Sequence, residues 1–134
     1  MNFETNRLII RHPRVEDAED IFRNYAQDVE VTKYLTWVPH KELKDTQRWV
    51  QYCVANANTE SSLMFVLCLK ETAEVIGMID FRLEGFKAHF GFVLAKKYWN
   101  QGLMTEAMQP LIEYFYEHPN IYRLWAAHDV ENEA

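Results

Sequence analysis

Cysteine is scarce in this chain: only Cys53 and Cys68 occur among 134 residues. They fit no CxxC or Cys/His spacing, so neither a disulfide framework nor a zinc site is expected. Cys68 lies within the apolar run LMFVLCL and reads as a small buried hydrophobe. Glycine and proline number four each, too few for a linker-rich or disordered protein. No apolar run approaches the ~20 residues of a membrane span, and MNFETNRLII lacks the basic-then-apolar layout of a secretory leader. Basic residues are outnumbered 14 to 20, for a net charge of −6. That balance argues against nucleic acid, whose phosphates call for Lys and Arg. It suits a cationic substrate such as an amine. The expectation is a soluble, cytoplasmic protein with no membrane or nucleic-acid partner.

What the chain does have is core material: 49% of residues are hydrophobic and 14% aromatic. A chain of this length buries roughly two thirds of its unfolded surface. No repeat or low-complexity break divides it, so residues 1–134 read as one domain. RLIIRH reads as a first strand, stopped by Pro13. VEDAEDIFRNYAQD then has acidic residues in its first turn and Val15, Ala18, Ile21, Phe22 and Tyr25 at helical spacing. A second helix is expected over about Leu43 to Ala57, with Trp49, Val50 and Val54 on one side. LMFVLCLK, EVIGMIDFRLE and HFGFVLA follow as three β-like runs in an antiparallel meander. A helix from near Gly102 carries Leu103, Ala107, Leu111 and Phe115 on one stripe, with a kink expected from Pro110. YRLWAAHDV closes as a strand. The fold class is α/β of the α+β kind: a mixed, mostly antiparallel sheet flanked by helices.

The segment with chemical content is HFGFVLA, KKYWNQG and the helix that follows. A strand entering a helix through a glycine-containing loop aims free N–H groups and the positive helix end at its junction, which favours a phosphate. With one glycine and no GxGxxG or GxxxxGK[ST] pattern, the signal is weak by itself, and an ordinary strand-to-helix turn reads these residues better. The N–H groups of Gln101, Gly102, Leu103, Met104 and Thr105 are the candidate anion donors. Lys96 and Lys97 stand just before them as candidate phosphate partners, or as a solvated loop. Asp80 and Glu84 share a strand face with Arg82 and are candidates to bind an ammonium or relay a proton. His12, His40, His118 and His128 have no neighbour at metal-ligand spacing, so no metal is expected. No pattern points to a covalent intermediate.

GFVLAKKYWNQGLMTEAM, together with the opening ETNRLIIRHPRVEDAEDIF, resembles the GNAT N-acetyltransferases, specifically the RimJ/RimL-like branch. The likeness runs through the whole chain in the family's order. It implies acetyl-CoA as cosubstrate and direct transfer of acetyl to a primary amine, a peptide N-terminal α-amine first. The family's Q/R-x-x-G-x-G/A loop falls on Trp99, Asn100, Gln101, Gly102, Leu103 and Met104, where Trp99 and Met104 depart from the superfamily pattern. Backbone groups of Phe92, Val93 and Leu94 are implied to pair with the pantetheine arm. Asn132 matches an asparagine that sits near the cofactor in relatives. Tyr34 and Trp37 fall on the acceptor side and are candidate wall residues.

Attack on a thioester needs a neutral amine. Deprotonating an α-amine costs about 1 kcal/mol at neutral pH and a lysine about 4.6 kcal/mol, so the former asks less of a base. The family's strand glutamate, in an Ala-Glu-Ile-like triplet, is matched here by Ala88-His89-Phe90. His89 is thus the candidate general base, with an ordinary pKa suited to pH 7. In relatives a helix and two strands follow the HDVENEA region, and that helix often supplies the acid for the leaving thiolate. The expectation is therefore a C-terminally shortened domain lacking those elements, completed by homodimer contacts. The competing expectation is a non-catalytic CoA-binding or interaction domain.

Overall fold

A computed structural model describes residues 2–32, 39–84 and 87–117, with the backbone alone for residues 32, 83–84, 87–89 and 115–116. The strands are β1 (Phe3–Glu4), β2 (Leu8–Arg11), β3 (Asn58–Thr59), β4 (Ser62–Leu69), β5 (Val75–Glu84) and β6 (Lys87–Leu94). The helices are α1 (Ala18–Ile21), α2 (Val29–Thr32), α3 (Leu43–Ala55) and α4 (Leu103–Glu117). The sheet runs β1-β2-β4-β5-β6, with β3 paired to the start of β4, and every pairing is antiparallel. The expected strand YRLWAAHDV lies outside the described residues, as does the parallel pairing it would bring.

β4 shows why this order arises. Its residues from Ser62 to Cys68 are all buried, the mark of a strand covered on both faces. Leu63, Phe65 and Leu67 face one layer with Leu8, Ile10, Ile79 and the α4 stripe Leu103, Ala107, Leu111. Met64, Val66 and Cys68 face the other, with Ile21, Tyr25, Val50 and Cys53. One helical layer therefore sits on each side of the sheet, the usual way to bury both faces of a strand with period two. A register shift between Leu67 and Cys68 in the β4–β5 pairing lets Ile76 join the α4 side with Ile79 while Val75 and Met78 face α3.

Two helical expectations are corrected in detail. The segment after Pro13 is not one regular α-helix: a 3₁₀ turn at Val15–Asp17 leads into α1, and a π-turn follows at Phe22–Ala26. Asp17 explains the tight start. Its carboxylate accepts the Arg14 N–H at 2.7 Å and both terminal nitrogens of Arg11 at 2.8 and 2.9 Å. The wider turn brings Tyr25 and Ala26 inwards together, while Val15 is 54% exposed. In α3 the buried stripe is Thr46, Val50 and Cys53, not Val54, which is exposed. α4 runs on through Pro110 without interruption of the helix. Its stripe is buried at Leu103, Ala107 and Leu111.

Candidate functional site

β6 is the outer strand of the described sheet. The Ala95 N–H donates to the Ile76 carbonyl at 2.8 Å, which sets the phase of the antiparallel ladder with β5. Gly91 and Val93 then turn their backbone groups towards β5, and Phe90, Phe92 and Leu94 turn theirs outwards. The Leu94 carbonyl accepts Trp99 Nε1–H at 2.7 Å. The outward groups of Phe90 and Phe92 have no strand beside them among the described residues. An extended polar ligand can complete such an edge by adding itself as a strand.

A cleft of about 620 Å³ opens along this edge, lined by Val31, Phe90, Phe92, Trp99, Asn100 and Met104 together with Gly91, Val93 and Leu94. Its size is that of a small-molecule site. Phe90 and Phe92 are 46% and 53% exposed and give it an apolar wall.

The cleft ends where the chain reverses into α4. After a short 3₁₀ turn at Lys96–Tyr98, Asn100 and Gly102 both adopt left-handed backbone, with φ of 62° and 75°. Asparagine is among the few side-chain-bearing residues that tolerate this region, and glycine enters it freely. Gln101 Nε2 donates to the Lys97 carbonyl at 3.0 Å and braces the turn. The helix begins with the Glu106 N–H donating to the Gly102 carbonyl at 3.0 Å. The preceding N–H groups, of Leu103, Met104 and Thr105, have no acceptor within the helix and lie at its positive end. Leu103 is buried beneath the helix, Met104 lines the cleft and Thr105 is exposed. The groups that α4 itself leaves open at this turn are therefore mainly backbone N–H donors.

Glu106 fixes that helix start. It accepts the Thr5 hydroxyl at 2.5 Å, the Arg7 N–H at 2.9 Å and Arg7 Nε–H at 2.8 Å. Partial burial alone would raise the Glu106 carboxyl. The bonds from Thr5 and Arg7 outweigh it and hold the group below the usual carboxylate range. Nothing in the local sequence around Glu106 foretells this anchor, because its partners stand about a hundred positions away.

The two candidate lysines that precede the turn each engage another side chain. Lys96 Nζ pairs with Glu30 of α2 at 2.6 Å, which lifts the lysine above its ordinary pKa through that hydrogen bond. Lys97 Nζ lies over the Tyr98 ring, 5.1 Å from its centre. The Lys96–Glu30 pair ties α2 to the loop, and the neighbouring Val31 lines the cleft.

On the α3 side of the sheet, Asp80, Arg82 and Glu84 hold register positions opposite Gly91, His89 and Lys87. All six therefore share one face. Asp80 Oδ2 lies 3.1 Å from Arg82 Nε. A β-carbon on Gly91 would stand 2.5 Å from Asp80 Oδ1, so this glycine lets the carboxylate lie over β6 beside the cleft. For His89 and Glu84 the register position is what is described. Tyr34, Trp37 and Asn132 lie outside the described residues.

Residues 7–134 match the acetyltransferase (GNAT) domain family. The chain is 33% identical over 131 residues to the uncharacterised N-acetyltransferase p20 of Bacillus licheniformis, covering 96% of this chain and 73% of that protein. A putative ribosomal-protein-serine acetyltransferase from Vibrio cholerae superposes with a TM-score of 0.75 at 19% identity, over 90% of this chain and 70% of that one. The microcin C7 self-immunity acetyltransferase MccE, solved with acetyl-CoA and AMP, gives a TM-score of 0.71 at 16% identity, over 84% and 64% of the two chains. An antiparallel sheet flanked by helices, with an open strand edge running into a helix start, is thus the frame in which these sequence matches fall. On that evidence the chain belongs to the GNAT family of acetyltransferases.

Proposed function

We propose that this N-acetyltransferase transfers acetyl from acetyl-CoA directly to the α-amine of a protein or peptide N-terminus. The observation that carries the reading is the outward-facing backbone of Phe90 and Phe92 on a cleft that ends at Gly102 and the start of α4. Acetyl-CoA supplies a thioester whose acetyl group passes to the amine nitrogen as the C–S bond breaks. The β6 edge hydrogen-bonds the pantetheine amides, and the N–H groups of Gln101 to Thr105 face the diphosphate.

His89, at its register position opposite Arg82, takes the proton that the amine loses, directly or through one water. Asp80, held over Gly91, offers negative charge to the incoming ammonium. Tyr34 and Trp37 contribute to the acceptor wall. The resemblance to ribosomal-protein acetyltransferases and the lower deprotonation cost of an α-amine support the choice of acceptor.

The test is a thermal-melt titration with acetyl-CoA, with ATP as control, followed by CoA thiol release with two peptides. One peptide has a free N-terminus and no lysine; the other has a blocked N-terminus and one lysine. At 100 times its dissociation constant, acetyl-CoA adds about 2.7 kcal/mol of stability. A shift with acetyl-CoA and faster thiol release with the free N-terminus supports the proposal. Absence of a shift overturns the cofactor reading, and preference for the lysine peptide overturns the acceptor. Binding with no thiol release from any amine favours the non-catalytic reading.

A further inference from the structure

With Lys96 paired to Glu30 and Lys97 over Tyr98, a further side-chain cation beside the loop comes, among the described residues, from the other end of the chain. Arg7 uses its Nε–H on Glu106 at 2.8 Å. One of its terminal nitrogens lies 3.8 Å from where a β-carbon on Gly102 would stand. The terminal nitrogens form no hydrogen bond among the described residues, and the Arg7 side chain is 45% exposed. Glu106 thus holds the guanidinium by one edge and turns the other towards the glycine of the loop. A second concavity of about 610 Å³ borders the same loop there, lined by Arg7, Lys70, Thr72, Tyr98 and Gln101 among others.

We infer that Arg7 is the side-chain cation that meets the phosphate groups of CoA at the Gly102 turn. This rests on the acetyl-CoA reading above and adds a residue that neither the loop motif nor the comparisons assign. The chemistry is that of guanidinium with phosphate: a planar set of N–H donors and a permanent charge, made shorter and stronger by ionisation of both partners. Glu106 contributes indirectly, by fixing the guanidinium plane and the first turn of α4 at once. It is a positioning residue.

The experiment compares CoA with pantetheine, which keeps the amides of the arm and lacks every phosphate. Binding is measured by calorimetry or NMR titration on the full chain, wild type and Arg7→Gln. Loss of one charge-assisted contact weakens CoA binding by about tenfold and leaves pantetheine binding unchanged. It also flattens the salt dependence of CoA binding. Equal weakening of both ligands, or no weakening of CoA, overturns the inference. Should Arg7→Gln fail to fold, the wild-type Arg7 Nε–Hε resonance serves instead. It shifts on adding CoA and holds on adding pantetheine, and a resonance unmoved by CoA overturns the inference. A wild-type chain that binds neither ligand removes the cofactor reading and this inference together. CoA binding that Arg7→Gln leaves intact removes the inference alone.

Discussion

Gly77 and Gly91 sit on adjacent strands, and each leaves room for something different. A β-carbon at Gly77 would stand 2.5 Å from the Val93 carbonyl oxygen and 3.1 Å from Leu94 Cδ1. Backbone cannot step aside without shifting β6, so Gly77→Ala is expected to cost about 1–3 kcal/mol, typical of overpacking. At Gly91 the obstacle is Asp80 Oδ1, the mobile end of a side chain. Gly91→Ala is expected to cost less than Gly77→Ala in thermal unfolding, while moving the Asp80 carboxylate off β6 and raising the acceptor KM. Equal destabilisation by the two substitutions, or an unchanged acceptor KM in Gly91→Ala, would refute this reading. At the same scale, His89→Gln is expected to lower kcat by about 10²-fold and to leave the acetyl-CoA dissociation constant unchanged. Stopped-flow turnover beside calorimetry separates the two effects.

α4 is both the cover of one sheet face and the end wall of the cleft, and Glu106 links those roles. Its carboxyl is held below the usual range by Thr5 and Arg7. A group whose folded pKa is depressed contributes stability that is complete above its unfolded pKa, about 4.3, and is lost as pH falls through the lower folded value. Glu106→Gln is therefore expected to be less stable than wild type at neutral pH, with the gap closing as the solution is acidified below the ordinary carboxylate range. Urea unfolding across that pH series measures it, and a gap that stays constant would show that the anchor is not ionic. Because the bonds reach the first turn of α4, the same substitution is expected to weaken CoA binding more than a change at the exposed Glu117, such as Glu117→Gln.

Packing of α3 against the sheet buries both cysteines, Cys53 on the helix and Cys68 on β4. Burial pushes the Cys53 thiol up to about 12 and raises Cys68 as well. The nucleophile is the thiolate, so neither cysteine is expected to react with a thiol reagent at pH 8 while the chain is folded. Both should react once it is unfolded in denaturant, as thiol titration under the two conditions will show. A thiol that is fast in the folded state would mean that the α3 layer opens. β6 is an edge strand of the described sheet, and the cleft lies along it.

The amino-acid pattern alone marked the elements whose burial is periodic. β4, β5 and β6 were legible because the period of two and the polar breaks between them are local, and α4 because Leu103, Ala107 and Leu111 recur on one stripe. The loop before α4 was legible as a strand-to-helix turn from its glycine and its place between the two elements, and the family from residues spread along the whole chain. The π-turn at Phe22–Ala26 and the switch from Val54 to Cys53 on α3 were not legible, since packing against the sheet selects the inward face. Nor was the fate of the cations. Lys96 and Lys97 adjoin the loop in sequence, yet Glu30 and Tyr98 engage them, while Arg7 reaches Gly102 through its bond to Glu106. Local spacing determined which backbone could hold an anion; tertiary contacts between distant residues decided which charge stands beside it, because charge pairing depends on distance in space and not on distance along the chain.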